Sequence, residues 1–132
     1  MTKKSLIALF LVLMVGVFYY NSKPTYKLYL PQSSDVQELV IQANNNETTI
    51  DDPDTIKAFV LKLRDVPTTR SESFNDTMPE NATKKYIVSF VVNDNETATP
   101  VYFYELNGTS YLEQPYNGIY KIDFNTFKEY LD

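Results

Sequence analysis

Val101-Tyr102-Phe103-Tyr104-Glu105-Leu106-Asn107-Gly108-Thr109-Ser110-Tyr111-Leu112-Glu113 is the stretch that decides the fold. Two runs rich in aromatic and branched residues flank Asn107-Gly108. That dipeptide accepts the positive φ of a tight turn, whose twist matches paired antiparallel strands. Val101–Leu106 and Thr109–Glu113 therefore read as a hairpin. Just upstream, Lys85–Val92 sets Tyr86, Val88, Phe90 and Val92 on one face and Ile87 and Val91 on the other. Apolar residues on both faces predict a central strand.

Working outward, Val36–Ala43 reads as another strand, carrying Leu39, Val40 and Ile41. Asn44-Asn45-Asn46-Glu47 is a turn, after which Thr48–Ile50 pairs back. Thr25–Leu30 alternates, with Tyr26, Leu28 and Leu30 on one face, and predicts a strand stopped by Pro31. Asn93-Asp94-Asn95-Glu96 starts a turn. Gln114–Gly118 is a further turn, in which Gly118 is expected to supply positive φ, and it leads into Ile119–Ile122.

Asp52 is a good N-cap, Pro53 suits the first helical position and Asp54 favours the positive end of the dipole. Ile56, Phe59, Val60 and Leu63 then form one apolar stripe. Pro67 ends this helix just beyond Asp65. A final helix is predicted from about Asp123 to Leu131, with Phe124, Phe127, Tyr130 and Leu131 on one side. Residues 67–84 form a long polar loop, which Phe74 and Met78 are expected to pin to the core. The fold class is α+β: an N-terminal transmembrane helix, then a small antiparallel sheet with a mid-chain helix and a C-terminal helix packed on one face.

The N-terminus divides from the rest. Lys3 and Lys4 precede an unbroken apolar run, Leu6 to Tyr20, and polar Asn21-Ser22-Lys23 follows. A basic segment before an apolar one marks a secretory signal. Small residues suited to cleavage are missing, and no cysteine is present to carry a lipid. The expectation is an uncleaved signal anchor over residues 1–23, with one extracytoplasmic domain over residues 24–132. The run gives about 24 Å of helix against a hydrocarbon core of about 30 Å. Snorkelling lysines and interfacial Tyr19 and Tyr20 help close that gap. The positive-inside rule puts the N-terminus in the cytoplasm and the domain outside a single-pass cell membrane. Secretion after cleavage is the alternative.

Beyond Tyr20 the chain carries seventeen acidic and ten basic residues, a net charge of −7. With no cluster of Lys and Arg it does not read as a nucleic-acid binder, and an acidic domain is repelled by anionic lipid. The chain has no cysteine and no histidine. An exported domain without disulfides must hold together by its core, which points to a bacterial envelope. Without histidine, neither a Ser-His pair nor a His-ligated zinc site can form.

Tyr111-Leu112-Glu113-Gln114-Pro115-Tyr116-Asn117-Gly118-Ile119-Tyr120, taken with Val101–Gly108 and the loop Ser71–Pro79, resembles a family of short membrane-anchored envelope proteins of Gram-positive bacteria. That family is catalogued only as a domain of unknown function, of the 5301 type. The resemblance covers most of residues 36–122 and implies no catalytic residue, ligand or cofactor.

Tyr102, Tyr104, Tyr111, Tyr116 and Tyr120 make the candidate partner-binding surface. Exposed tyrosines stack on sugar rings or grip peptides, and buried ones form cross-strand aromatic pairs. Lack of Trp argues against sugar. Asp51, Asp52 and Asp54 offer carboxylates for Ca²⁺, but helix capping accounts for Asp52 and Asp54. Glu105 and Glu113 flank the hairpin turn as a glycosidase pair would, yet read as a solvated edge. No catalytic residue, cofactor or metal site is expected. The expected function is a non-enzymatic, membrane-tethered module binding an unknown protein, peptide or cell-wall partner. Sequestration of a cationic peptide is the second reading, and a carboxylate-based wall-glycan hydrolase the third.

Overall fold

The computed structural model describes residues 2–93 and 97–132. Six strands form one antiparallel sheet: β1 (Val36–Ala43), β2 (Asn46–Ile50), β3 (Thr83–Val92), β4 (Val101–Leu106), β5 (Thr109–Gln114) and β6 (Gly118–Lys121), in the order β2-β1-β3-β4-β5-β6. Helix α1 (Lys3–Ser22) precedes the sheet, α2 (Pro53–Arg64) joins β2 to β3, and α3 (Lys128–Leu131) closes the chain. β3 lies between β1 and β4, as its two apolar faces require. The β4–β5 hairpin turns at Asn107 (φ 52°) and Gly108 (φ 80°), both left-handed.

The core occupies one face of the sheet. Leu39 and Ile41 of β1, Val88 and Phe90 of β3, Val101 and Phe103 of β4, and Leu112 of β5 point there. Onto them pack Ile56, Phe59, Val60 and Leu63 of α2. Phe59 is the hub, with ring centroids 6.5 Å from Phe90, 6.3 Å from Phe103 and 6.0 Å from Phe127. The start of α2 is set locally: Asp52 Oδ2 accepts hydrogen bonds from the Thr55 amide (3.0 Å) and hydroxyl (2.6 Å). These bonds hold the Asp52 carboxyl below its usual pKa. The asparagine-rich turn works through Asn44, at φ 55°.

Five expectations are corrected. Thr25–Leu30 is not a strand of the sheet but a strap. Only Tyr26 makes a β-bridge, to Thr69, while Leu28 drops into the core. Alternation survives because the strap covers an apolar surface, but side chains supply most of its hydrogen bonds. The last helix is broken: a 3₁₀ turn over Phe124–Thr126 is capped by Asp123, and Phe127 at φ −113° and ψ 0° separates it from the single turn of α3. Burial of Phe127 and Leu131 takes precedence over helical continuity. β3 starts two residues early, at Thr83, through an irregularity that leaves Lys84 at φ 49°. In the 114–118 turn the left-handed residue is Tyr116 (φ 57°), not Gly118. Gly118 answers a different demand: a Cβ there would come within 2.9 Å of both Thr69 Cγ2 and the Tyr120 hydroxyl. Finally, Phe74 does not pin the long loop but stands exposed, while Met78 is half-buried. The Asn93–Glu96 turn falls, from Asp94 on, outside the described residues.

α1 runs twenty residues, from Lys3 to Ser22, further than the apolar run alone. At about 1.5 Å per residue it is roughly 30 Å long, with Lys3, Lys4 and Ser5 at one end and Asn21 and Ser22 at the other, so the apolar run itself keeps its length. None of its residues is buried, and it is apolar and long enough to cross a membrane, a property it shares with a signal sequence.

Candidate functional site

β-pairing places the five tyrosines differently. Tyr102 and Tyr104 of β4 lie opposite Glu113 and Tyr111 of β5, on the sheet face away from α2. The Tyr104 and Tyr111 rings meet as a cross-strand pair, centroids 5.6 Å apart. Tyr120 is on the other face, in the core, where its hydroxyl donates to the Tyr26 carbonyl at 3.1 Å. Burial pushes its phenol up to about 12. Tyr116 projects from the 114–118 turn, 68% exposed. The set therefore does not make one surface.

The face with Tyr102 and Tyr104 is roofed by the loop after Ser73. The Tyr102 hydroxyl donates to the Asp76 carbonyl at 2.7 Å. Ser73 Oγ donates to Glu113 Oε2 at 2.5 Å, and Tyr104 Oη to Glu113 Oε1 at 2.8 Å. Glu113 is only 1% exposed, so the expected solvated edge is corrected for this residue. A buried carboxylate is tolerated when donors meet its oxygens. Burial, then the bond to Glu113, pushes the Tyr104 phenol well above its ordinary pKa. Burial and the nearby Asp76 and Glu113 also raise that of Tyr102. Glu105 sits on the opposite face of the hairpin, across from Ser110, with Lys84 Nζ at 3.3 Å. The carboxylates that a glycosidase would need to converge are split by the sheet.

The sheet end at residues 114–118 is built by polar side chains that strand periodicity does not flag. Gln114 is fully buried and acts as a strand edge for the strap. Its Oε1 accepts from the Tyr29 amide and its Nε2 donates to the Tyr29 carbonyl, each at 2.8 Å. Asn117 Nδ2 donates to the Lys27 carbonyl and to Gln114 Oε1, each at 2.7 Å. On the outer side of β6 the chain 71–73 pairs with the sheet: the Ile119 amide donates to Ser71 O (2.9 Å), and the Ser73 amide to Asn117 O (3.1 Å).

These bonds tie the backbone segments that carry three exposed aromatic residues to one end of the sheet. Tyr29 is tied to Gln114, two residues before Tyr116, and Phe74 follows Ser73, whose amide is bonded to Asn117. Tyr29 is 73% and Phe74 74% exposed. Of the three, only Tyr116 belongs to the predicted set. Alternation in Thr25–Leu30 already set Tyr29 opposite Tyr26, Leu28 and Leu30, but nothing in sequence tied it to the 114–118 turn, and a lone Phe in a polar loop suggested burial. Glu72 and Asp76 stand exposed on either side of Phe74.

Comparison with known proteins agrees with this fold. No curated protein matches the chain. An NMR structure of a protein from Ruminococcus gnavus is similar, at 25% identity and a TM-score of 0.59, over 75% of this chain and 92% of that one. The family model DUF5301, described as a domain of unknown function (DUF5300), matches residues 24–121, the strap and all six strands. The chain therefore belongs to that family, and α1 lies outside the matched domain.

Proposed function

We propose that this protein is a non-enzymatic binding module, held by α1 at the outer face of a bacterial cell membrane, which meets a protein or peptide partner through the end of its sheet at residues 114–118. The observation that carries the reading is Tyr116. A non-glycine residue at φ 57° costs about 1 kcal/mol, and Tyr116 keeps that conformation while exposing its ring. Strain at an exposed aromatic is retained more readily for contact than for folding. Phe74 and Tyr29 are exposed on segments bonded to the same end of the sheet, and aromatic residues of this kind dominate binding interfaces.

Two measurements test it. The mass of the chain recovered from the membrane fraction should include residues 1–23, whereas a shortened chain found only in the medium overturns the tether. The 24–132 fragment keeps the entire core, since no α1 residue is buried, and should retain a partner from envelope extracts. Tyr116→Ala with Phe74→Ser should cut that retention at least about tenfold, or 1.4 kcal/mol. Equal retention by the double variant, with its circular dichroism unchanged, removes the site. The exposed Glu72 and Asp76 beside Phe74 favour a cationic peptide as the occupant, with grip that weakens as salt rises.

A further inference from the structure

The two edges of the sheet differ. The outer edge of β6 is taken by residues 71–73, through the bonds from Ile119 to Ser71 and from Ser73 to Asn117. At the other edge β2 pairs with β1, and among the described residues no further segment bonds to its backbone. Ala43 faces Asn46 across a two-residue turn, so Asn46, Thr48 and Ile50 aim their amides and carbonyls at β1. Those of Glu47 and Thr49 aim outward. Natural sheets blunt such edges with lysine, proline, bulges or a covering segment. β2, Asn46-Glu47-Thr48-Thr49-Ile50, has none of these and keeps a regular register. Its one charge is Glu47, which repels an acidic strand and attracts a basic one.

The two faces of this strand also differ. Thr48 and half-buried Ile50 lie opposite Ile41 and Leu39, on the face that α2 covers, while Glu47 and Thr49 look to the other face. Glu38 of β1 shares the Glu47 face, and Asp51 and Asp54 line the adjoining cleft between β1 and α2. Lys57 is the cation in that cleft. Lys84 and Lys85, which open β3, are drawn off by Glu105 and by the Glu80 carbonyl. Among the described residues Glu38, Glu47, Asp51 and Asp54 form no ion pair, so four carboxylates against one lysine leave the edge negative. A second copy of this chain is therefore a poor occupant. Pairing about Glu47, Thr48 or Thr49 would set Glu47 opposite its own copy, diagonal to it, or opposite Asp51.

We propose that the open side of β2 takes an extended peptide segment of alternating basic and apolar residues as a further antiparallel strand. Its amides and carbonyls meet those of Glu47 and Thr49. Its basic side chains lie over Glu47, towards Glu38 and Asp51, and its apolar ones over Thr48 and Ile50. Main-chain bonds supply grip in this mode of recognition, and alternate side chains supply the choice of sequence. A peptide residue opposite Glu47 or Thr49 shares its face and bonds towards it, so the basic residues are the ones whose amides bond to β2. The site lies at the opposite edge of the sheet from β6 and does not rest on the reading of the 114–118 end.

The test uses the full chain in phosphatidylcholine nanodiscs and the probe acetyl-Lys-Val-Lys-Val-Lys-Val-Lys-amide, read by amide hydrogen exchange in NMR. At about 1 mM probe, exchange at Glu47 and Thr49 should slow at least about tenfold, and exchange at residues 117 and 119 less than about twofold. N-methylation of the probe's lysine amides should abolish the slowing, whereas N-methylation of its valine amides, which point away from β2, should leave it. Glu47→Lys with Asp51→Lys should lose the response to this probe and gain one to acetyl-Glu-Val-Glu-Val-Glu-Val-Glu-amide. No slowing at residues 47 and 49, or equal slowing by the lysine-methylated probe, overturns the added strand. So does protection of both amides before any probe is added, in a particle holding two chains, which would mean that β2 pairs with its own copy. Protection confined to residues 117–119 also overturns it and leaves the 114–118 reading standing.

Discussion

Glu113 shows how much one side chain can hold. It lies on a hairpin strand where alternation with Leu112 merely says that it faces away from the core. In three dimensions it is the acceptor for Ser73 and Tyr104, and so ties the long loop to the sheet. A carboxylate has about four acceptor sites and no donor, which suits a position met by two hydroxyls. Glu113→Ala would leave both hydroxyls without their acceptor and should cost about 1–3 kcal/mol in urea unfolding. Glu113→Gln keeps an accepting oxygen and removes a buried charge, so its loss should be clearly smaller. An alanine variant as stable as the parent would show that water replaces the carboxylate freely.

At the scale of elements, the outer edge of β6 is completed by a segment that is not itself a strand of the sheet. Residues 71–73 pair along it, and the strap beginning at Tyr26 locks Thr69 in turn. Gly118 makes the approach possible, since a Cβ would meet Thr69 and Tyr120 at 2.9 Å. Gly118→Ala should therefore push this segment off the edge. The expected cost is about 1–3 kcal/mol, as for other overpacked sites. Amide exchange at residues 71, 73 and 119 should accelerate, while exchange at residues 88–90 in β3 falls only with global stability. Unchanged exchange at residue 119 would show that the edge does not depend on this contact. The same end of the sheet explains why Thr25–Leu30 reads as a strand. Its period is that of a chain crossing an apolar surface, but Gln114 and Asn117 take the place of a neighbouring strand.

Across the whole molecule, stability in alkali follows from the buried phenols. Tyr120 is raised from 10.0 to about 12 by burial, and Tyr104 is raised further, by burial and Glu113. A raised phenol favours the neutral form in the folded state. Below pH 10 both states are protonated and that stabilisation is complete. Above it the unfolded chain loses its protons first, so stability falls as pH climbs from about 10 towards 12. The urea midpoint should decline across that window, and the decline should be shallower in Tyr120→Phe. A Tyr120→Phe slope identical to the parent's would show that this phenol titrates normally.

Much was legible in the chain because it depends on neighbours in sequence. The Asn107-Gly108 turn, the Asp52–Pro53 helix start, the apolar stripe of α2, the two-faced β3 and the apolar N-terminal helix all follow from local dihedral preference and hydrophobic period. The candidate site was legible only in part. Tyr116 is exposed as that surface requires, whereas Tyr120 is in the core and Tyr104 lies beneath a loop. Which tyrosine is covered depends on what crosses over it, and the covering segments lie dozens of residues away. The same holds for the burial of Glu113, the left-handed turn at Tyr116 and the broken final helix. Each is set by contacts between distant segments, where packing and hydrogen-bond satisfaction outweigh local propensity.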